Sequence, residues 1–107
     1  MLVLEDHGYI VGFAIAEASD AKARLITVDV DPGRRGKGYG AELLVALENE
    51  VRKRGSECLR LEVRVTNAAA RKLYEKAGYR ETRVIRGYYF YPDEGSVDAV
   101  EMEKRLV

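Results

Sequence analysis

The segment from Val28 to Gly40 constrains the fold most, because a strand, a glycine- and arginine-rich turn and a helix follow one another in it without a break. Gly36, Gly38 and Gly40 stand at alternate positions, which lets the turn backbone come close to a ligand. The first N–H groups of the following helix have no intrahelical partner and can face an oxyanion. The segment therefore predicts an anion site, with a pyrophosphate as the expected ligand. A glycine-rich connector with solvated arginines is the alternative.

Length and charge limit the chain to one domain, residues 1–107, without a strong global field. A chain of 107 residues can bury roughly two-thirds of its unfolded surface in a single core. Eighteen basic residues balance eighteen acidic ones, so electrostatic recognition must be local. The cluster of Arg34, Arg35 and Lys37 is the obvious local case. We therefore expect neither a nucleic acid nor a membrane as a partner.

The numbers of cysteine and histidine residues limit the kinds of disulfide, metal site and catalytic triad that the chain can form. Cys58 is the only cysteine and His7 the only histidine, which excludes a disulfide framework and argues against a metal site or a Ser-His-Asp triad. The N-terminus lacks a basic region followed by a long apolar core, and no apolar stretch approaches the length of a membrane span. We expect a soluble, cytoplasmic protein that holds no metal.

Hydrophobic patterning predicts the element order β-β-β-α-β-α-β-β. The predicted strands cover residues 1–4, 9–16, 24–30, 59–65, 80–85 and 96–104. One predicted helix runs from Gly38 to a C-cap at Gly55, and a shorter one covers residues 67–77. This order predicts an α/β fold: a mixed, partly parallel twisted sheet on which the helices pack.

The fourth predicted strand alternates strictly. Leu59, Leu61, Val63 and Val65 share one face, whereas Arg60, Glu62 and Arg64 share the other. The pattern places Glu62 opposite the core side of the strand. On the pattern alone, Glu62 is a surface residue paired with Arg60 or Arg64.

Three motifs from Val28 onward resemble the GCN5-related N-acetyltransferase (GNAT) family. Residues 35–40, Arg-Gly-Lys-Gly-Tyr-Gly, match its Arg/Gln-x-x-Gly-x-Gly/Ala acetyl-CoA motif. Residues 61–70 and 73–79 resemble the signature of the branch that acetylates protein N-termini, which includes ribosomal-protein alanine and archaeal N-terminal acetyltransferases. Gly87-Tyr88-Tyr89, followed by Asp98-Ala99, is the third motif.

The resemblance implies acetyl-CoA as cofactor and a site for each of its parts. The backbone of residues 28–30 would pair with the pantetheine arm, and residues 36–41 would cradle the pyrophosphate, with charge added by Arg34, Arg35 or Lys37. Asn67 matches a residue near the thioester, and a plain helix N-cap is its alternative role. The implied cofactor-binding residues are Val28, Asp29, Val30, Arg35, Gly36, Lys37, Gly38, Tyr39, Gly40, Ala41 and Asn67.

The same resemblance implies two catalytic residues. Glu62 matches the general base that takes a proton from the amine, and Tyr74 matches the general acid that protonates the departing CoA thiolate. Transfer would be direct, without a covalent enzyme intermediate. Tyr74 has a second interpretation as a packed amphipathic aromatic residue.

Tyr88 and Tyr89 match aromatic residues that line the peptide entrance in N-terminal acetyltransferases. They could instead pack the loop before the last strand. Phe90 and Tyr91 extend the aromatic cluster beyond the usual pattern. The expected acceptor is the α-amino group of a protein or peptide. A small-molecule amine acetyltransferase and a noncatalytic acyl-CoA-binding module are the alternatives.

Family members normally carry a first strand and two helices before the hairpin that opens this sequence. We weigh three explanations: a naturally short enzyme that completes its groove with another copy, a binding module without transfer activity, or a fragment whose start lies upstream. A contiguous apolar face left uncovered favours association. We therefore expect a homodimer.

Overall fold

The computed structural model describes residues 2–6, 9–19, 21–89 and 97–107. Within these residues the elements are β1 (Leu2–Asp6), β2 (Tyr9–Ser19), β3 (Lys22–Val30), α1 (Tyr39–Lys53), β4 (Cys58–Arg64), α2 (Ala68–Lys76), β5 (Arg80–Ile85) and β6 (Ala99–Arg105). A 3-10 turn, Pro32–Arg34, lies between β3 and α1. The predicted order of elements is confirmed.

The chain divides into two compact units. Unit 1 comprises Met1–Leu59 with Arg105–Val107, and unit 2 comprises Arg60–Lys104. No helix in the described ranges is both long enough and apolar enough to span a membrane.

Unit 1 is built on three antiparallel strands, with β2 between β1 and β3. The predicted hairpin of the first two strands is therefore confirmed. Gly12 of β2 lies opposite Val30 of β3. A Cβ atom at Gly12 would lie 2.7 Å from the Asp29 carbonyl oxygen and 2.9 Å from Leu43 Cδ1. A glycine is therefore needed where α1 packs against this sheet.

Helix α1 packs on the three strands through its apolar stripe. Leu43, Leu44, Leu47 and Val51 are buried, as their spacing predicts. Arg52 and Lys53 lie in the last turn, where positive charge interacts favourably with the negative end of the helix dipole. Gly55 follows with φ +96°. The predicted C-terminal stop is confirmed.

Unit 2 contains β6 between β4 and β5, and β5 pairs with β6 in antiparallel register. On β4, Leu61 and Val63 are buried, whereas Arg60, Glu62 and Arg64 lie on the alternate face and are half-buried. The predicted alternation is confirmed. Helix α2 begins after its N-cap, Asn67, and ends at Lys76, within the predicted range.

Strand β6 begins at Ala99, later than the prediction of residues 96–104. Ser96 lies outside the described residues. Asp98 lies before the strand and bonds to the loop after β5, where its Oδ1 accepts a hydrogen bond from the Gly87 N–H (2.9 Å). Its carbonyl oxygen accepts one from the Val65 N–H (3.0 Å). A hydrogen bond from a side chain to a loop does not change the hydrophobic periodicity, which explains why the predicted start of β6 is wrong.

Candidate functional site

A short turn after β3 directs the chain into α1. Asp31 Oδ1 accepts a hydrogen bond from the Gly33 N–H (3.2 Å), and the Asp31 carbonyl oxygen accepts one from the Arg34 N–H (2.8 Å). Pro32 fits the first position of this 3-10 turn because it has no N–H to satisfy. The sequence Asp-Pro-Gly therefore ends β3 and fixes the direction of the following segment.

Gly36 and Gly38 make the start of α1 accessible. Their φ values are +82° and +81°, a conformation that residues with a Cβ rarely adopt, and no atom lies within 4 Å of either Cβ position. Gly38 is the N-cap of α1 and supplies no side-chain hydrogen bond. Gly40 lies inside the first helical turn. This uncapped helix start, facing open space, fits an oxyanion such as a pyrophosphate.

Basic side chains accompany the turn. Arg35 and Lys37 are exposed, and Arg34 is half-buried. The Arg35 Nε–H donates to the Val30 carbonyl oxygen (3.2 Å), which holds this guanidinium beside the turn.

A cleft of about 270 Å³ lies beside the end of β3. It is lined by Ile10, Gly12, Phe13, Asp29, Val30, Asp31 and Pro32. Of the three predicted pantetheine-pairing residues, Asp29 and Val30 contribute to this lining. β3 uses one edge for its ladder with β2, in which Val28 lies opposite Ala14.

Glu62 lies in unit 2 and is far less exposed than a surface residue. Its side chain is only 8% exposed, and Oε1 lies 3.8 Å from Arg60 Nε. The pairing of Glu62 with Arg60, which the strand pattern predicts, is therefore present, although Glu62 is not an exposed surface residue. A carboxylate with so little contact with solvent is also suited to proton abstraction.

Tyr74, on α2, is buried and packs edge-on against Tyr79, with ring centroids 5.9 Å apart. Burial raises the pKa of the Tyr74 phenol above 10.0, and Tyr89 adds to the increase. The phenol is therefore protonated at neutral pH and can donate a proton. Its packing also matches the interpretation as a buried aromatic residue, so the catalytic role stays a prediction.

Asn67 is the N-cap of α2, because its Oδ1 accepts a hydrogen bond from the Ala70 N–H (3.1 Å). This N-cap is the alternative role that the sequence predicts for Asn67. The predicted contact with the cofactor stays a prediction.

Tyr88 and Tyr89 pack edge-on with ring centroids 4.9 Å apart, and both are half-buried. The Arg64 guanidinium carbon lies 4.0 Å from the Tyr89 ring centroid, a cation–π geometry. The Tyr89 N–H donates to the Val97 carbonyl oxygen (2.9 Å). Together with the Gly87–Asp98 hydrogen bond, this contact explains why the third motif combines two distant stretches. Phe90 and Tyr91 lie outside the described residues.

Sequence reasoning missed a buried charge on β6. Glu101 is only 7% exposed, on a strand whose neighbouring residues Val100 and Met102 are also buried. Its Oε1 accepts a hydrogen bond from Thr82 Oγ1 (2.7 Å), and its Oε2 lies 3.2 Å from Arg83 Nη2. A single acidic residue inside an apolar run was the available signal. Across the described parts of the chain, no cluster of His, Cys, Asp and Glu could hold a metal ion.

Comparison with known proteins decides the family. The sequence model of the acetyltransferase (GNAT) family matches residues 1–79. The chain belongs to this family. The ribosomal protein bS18-alanine N-acetyltransferase of Escherichia coli strain K12 is 41% identical over 99 residues, which cover 92% of this chain.

Solved structures agree with this GNAT membership and confirm the predicted fold class. The crystal structure of the Escherichia coli ribosomal-protein-S18-alanine N-acetyltransferase matches with a TM-score of 0.86 and 39% identity, covering 97% of this chain and 66% of that one. The NatB acetyltransferase complex bound to CoA and MES matches with a TM-score of 0.82 and 32% identity, covering 99% and 71%. The chain spans 64% to 66% of the length of the curated relatives from Haemophilus ducreyi and Escherichia coli.

Proposed function

We propose that this GNAT chain is an acetyl-CoA-dependent N-acetyltransferase acting on the N-terminal α-amino group of a protein or peptide. The observation that carries the proposal is Glu62, a carboxylate whose side chain is only 8% exposed, in a chain that also has the open glycine turn. Binding of CoA alone would not need such a carboxylate. Relatives named as ribosomal-protein alanine N-acetyltransferases support the choice of acceptor.

In this proposal most of the groups that bind acetyl-CoA belong to unit 1. The backbone N–H groups at the start of α1, across residues 36–41, hold the pyrophosphate, and Arg35 and Lys37 add positive charge. The backbone of Val28, Asp29 and Val30 pairs with the pantetheine arm beside the cleft that Asp29 and Val30 line. The amide nitrogen of Asn67 contacts the cofactor near its thioester, while its oxygen caps α2.

Unit 2 supplies the acid and the base. When bound, acetyl-CoA offers an activated thioester carbonyl. Glu62 accepts a proton from the ammonium form of the acceptor, directly or through water, which leaves the amine lone pair free to attack. An α-amino group has a reference pKa of about 7.7 to 8.0, so this step is modest. The C–N bond then forms, and the C–S bond breaks as Tyr74 gives its phenolic proton to the departing sulfur, which its raised pKa allows at neutral pH. The second proton that the attacking nitrogen loses restores the phenol.

Tyr88 and Tyr89 contact the acceptor peptide in this proposal. Their edge-on packing and the Arg64 cation–π contact give them a defined geometry that is compatible with an aromatic peptide entrance. We propose one acetyltransferase domain over residues 1–107, acting in the cytoplasm without a nucleic-acid or membrane partner. The balance of eighteen basic and eighteen acidic residues supports the last point.

We also propose a homodimer. Three apolar side chains on unit 1 strands support it: Val3 is 43% exposed, Ile10 63% and Ile26 43%. Light scattering at micromolar protein should give the mass of two chains, and Ile10→Asp should shift the mass toward one chain. Val84→Asp, at an equally exposed position on β5, is the matched control. A monomeric wild type contradicts this part.

The experiment that tests the activity measures release of the free CoA thiol from acetyl-CoA with a panel of short peptides bearing free N-termini. Wild type is compared with Glu62→Gln and Tyr74→Phe. Loss of an acid or a base typically costs about a hundredfold or more in rate, and we expect that loss in both variants. Acetyl-CoA binding, measured by calorimetry, should change little in either.

Two other results would redirect the proposal. Saturable acetyl-CoA binding without release indicates a noncatalytic acyl-CoA-binding module. Release with small amines but with no peptide of the panel indicates a small-molecule acetyltransferase.

A further inference from the structure

Four charged side chains of unit 2 form a connected group, here called the Arg60 cluster: Arg60, Glu62, Arg83 and Glu101. Arg60 Nε lies 3.8 Å from Glu62 Oε1 and 3.9 Å from Glu101 Oε2. One guanidinium nitrogen therefore lies almost equally far from two carboxylates. Because β4 places Arg60 and Glu62 two residues apart, the two side chains share one face of the strand.

Arg60 Nε forms a hydrogen bond with neither carboxylate. It is buried and has no hydrogen-bond partner among the described residues, since both carboxylate oxygens lie beyond hydrogen-bond distance. The carboxylates themselves are shielded, with side chains 8% exposed for Glu62 and 10% for Glu101. The Arg60 side chain is 42% exposed, so solvent screens part of the electrostatic effect of its guanidinium on both groups.

Glu101 is held in place by other groups. Thr82 Oγ1 donates to its Oε1 (2.7 Å), and Arg83 Nη2 donates to its Oε2 (3.2 Å). Burial by itself would raise the pKa of Glu101, but the hydrogen bonds from Thr82 and Arg83, with the charges of Arg83 and Arg60, lower it overall. Glu101 is therefore a fixed negative charge at neutral pH, and its Oε2 lies 3.9 Å from Arg60 Nε.

We propose that Arg60 and Glu101 are positioning residues that set the charge balance at the Glu62 carboxylate, and with it the pH at which the enzyme becomes active. This inference rests on the proposed function of Glu62 as the general base. Arg60 favours the ionised carboxylate, and Glu101 limits that effect by sharing the guanidinium and by adding a like charge. The two residues therefore act in opposite directions on the same group.

Other charged and titratable groups lie on the elements that carry the cluster, on α2 and in the loop after β5, and the test must separate their effects from those of the cluster. They are Arg64 on β4, Glu103 on β6, Arg80 on β5, Tyr74 on α2, and Tyr88 and Tyr89 in the loop after β5. Arg64 is placed over the Tyr89 ring, and Arg80 lies opposite Glu103 in the β5–β6 register. All of them are unchanged in the variants proposed below.

The test measures the acidic limb of the pH–rate profile for peptide-dependent CoA release. An opposite charge a few ångströms away displaces a carboxylate titration by about one to three pH units, less where solvent screens it. We therefore expect Arg60→Gln to move the midpoint of the limb upward by about half to one unit, and Glu101→Gln to move it downward. Arg60→Lys, which keeps the charge, should stay near wild type. Arg54→Gln, on the exposed end of α1, is the matched control for removing an arginine.

A second readout does not need activity. The side-chain carboxyl carbon of Glu62, observed by NMR and assigned through its loss in Glu62→Gln, should show the same opposite displacements of its titration. Shifts in both directions support the inference. An unmoved Glu62 titration in Arg60→Gln, or displacements of the same sign in the two variants, overturn it. If wild type releases no CoA, the proposed function fails, and the NMR titration still decides the charge balance.

If Glu101→Gln does not fold, as judged by circular dichroism, the comparison of Arg60→Gln with Arg60→Lys carries the test. A shift in the first that is absent from the second supports the inference. Equal shifts in both contradict it, because a purely structural role for Arg60 would not distinguish them by charge.

Discussion

The candidate site of unit 1 is built from the backbone, whereas that of unit 2 is built from side chains. In unit 1 the candidate phosphate site is mainly backbone: two glycines with positive φ and a helix start without a side-chain cap. In unit 2 the candidate catalytic groups are side chains whose surroundings decide their charge, such as Glu62 beside Arg60 and Tyr74 in a buried aromatic pair. The first kind of site depends on conformation, and the second depends on desolvation and on neighbouring charge.

This difference teaches where substitutions should act. Changes in unit 1 should alter backbone geometry, and therefore fold stability or cofactor affinity. Changes at Glu62, Tyr74 and the Arg60 cluster of unit 2 should alter proton transfer or pH dependence while leaving cofactor binding nearly intact.

Gly12→Ala should destabilise the protein by about 1 to 3 kcal/mol, because an added methyl group must displace tightly packed neighbours. Its Cβ would lie 2.7 Å from a backbone oxygen and 2.9 Å from Leu43. Gly33→Ala is the matched control, since the nearest atom to its Cβ lies 3.9 Å away. Urea unfolding measures both. Equal free energies of unfolding would show that the sheet and α1 can move apart at no cost.

Gly38→Ala should weaken acetyl-CoA binding about tenfold, because a left-handed conformation costs a residue with a Cβ about 1 to 2 kcal/mol. Gly55→Ala is the matched control: its φ is +96°, and open space also surrounds its Cβ position. We expect a similar loss of stability in both variants, and weaker binding only in Gly38→Ala. Calorimetric titration checks this. Unchanged affinity in Gly38→Ala would remove the turn from the proposed cofactor site.

Asn67→Ala should lower the free energy of unfolding by about 1 kcal/mol, the usual cost of a lost N-cap. Asn67→Asp keeps an oxygen that can accept the Ala70 N–H and should leave stability nearly unchanged. Because aspartate lacks the amide N–H groups, acetyl-CoA affinity should fall in both variants if the proposed contact exists. Full affinity in Asn67→Asp would assign Asn67 to the helix cap alone.

Glu101→Gln should change how stability depends on pH. The folded protein lowers the pKa of Glu101 below 4.5, so the carboxylate contributes stability above that pH and loses it as the pH falls through the lowered value. The stability advantage of the wild type over the variant should therefore be complete at neutral pH and shrink as the pH falls through the lowered pKa of Glu101. Glu50→Gln, on the exposed Arg54 pair of α1, is the control. A difference that does not vary with pH would contradict the lowered pKa.

Much of the fold could be predicted because its elements have strong local signals. The alternation of β4, the apolar stripe of α1 and Gly55 after this helix predict elements that the structure confirms. The start of β6 was misplaced because Asp98 bonds to Gly87, eleven residues earlier in the chain. A contact of that kind has no periodicity and cannot be recognised from its own segment.

The candidate site was partly predictable for the same reason. Periodicity placed Glu62 on the polar face of β4, and the motif resemblance proposed its role. The pattern could not show that this face is shielded, or that Arg60 is shared with Glu101 on β6. Likewise, the helix start at Asn67 was visible as a cap, whereas the cation–π contact of Arg64 with Tyr89 needed the folded loop.

The order of the elements, the glycine turn before α1 and the family to which the chain belongs can all be recognised from the amino-acid sequence. These depend on local conformational preferences and short motifs, which each segment carries within itself. The charges that share a buried face can be identified only in the folded protein, because burial and electrostatic coupling depend on residues far apart in the chain. The position of Glu101 between Thr82, Arg83 and Arg60 is the clearest case.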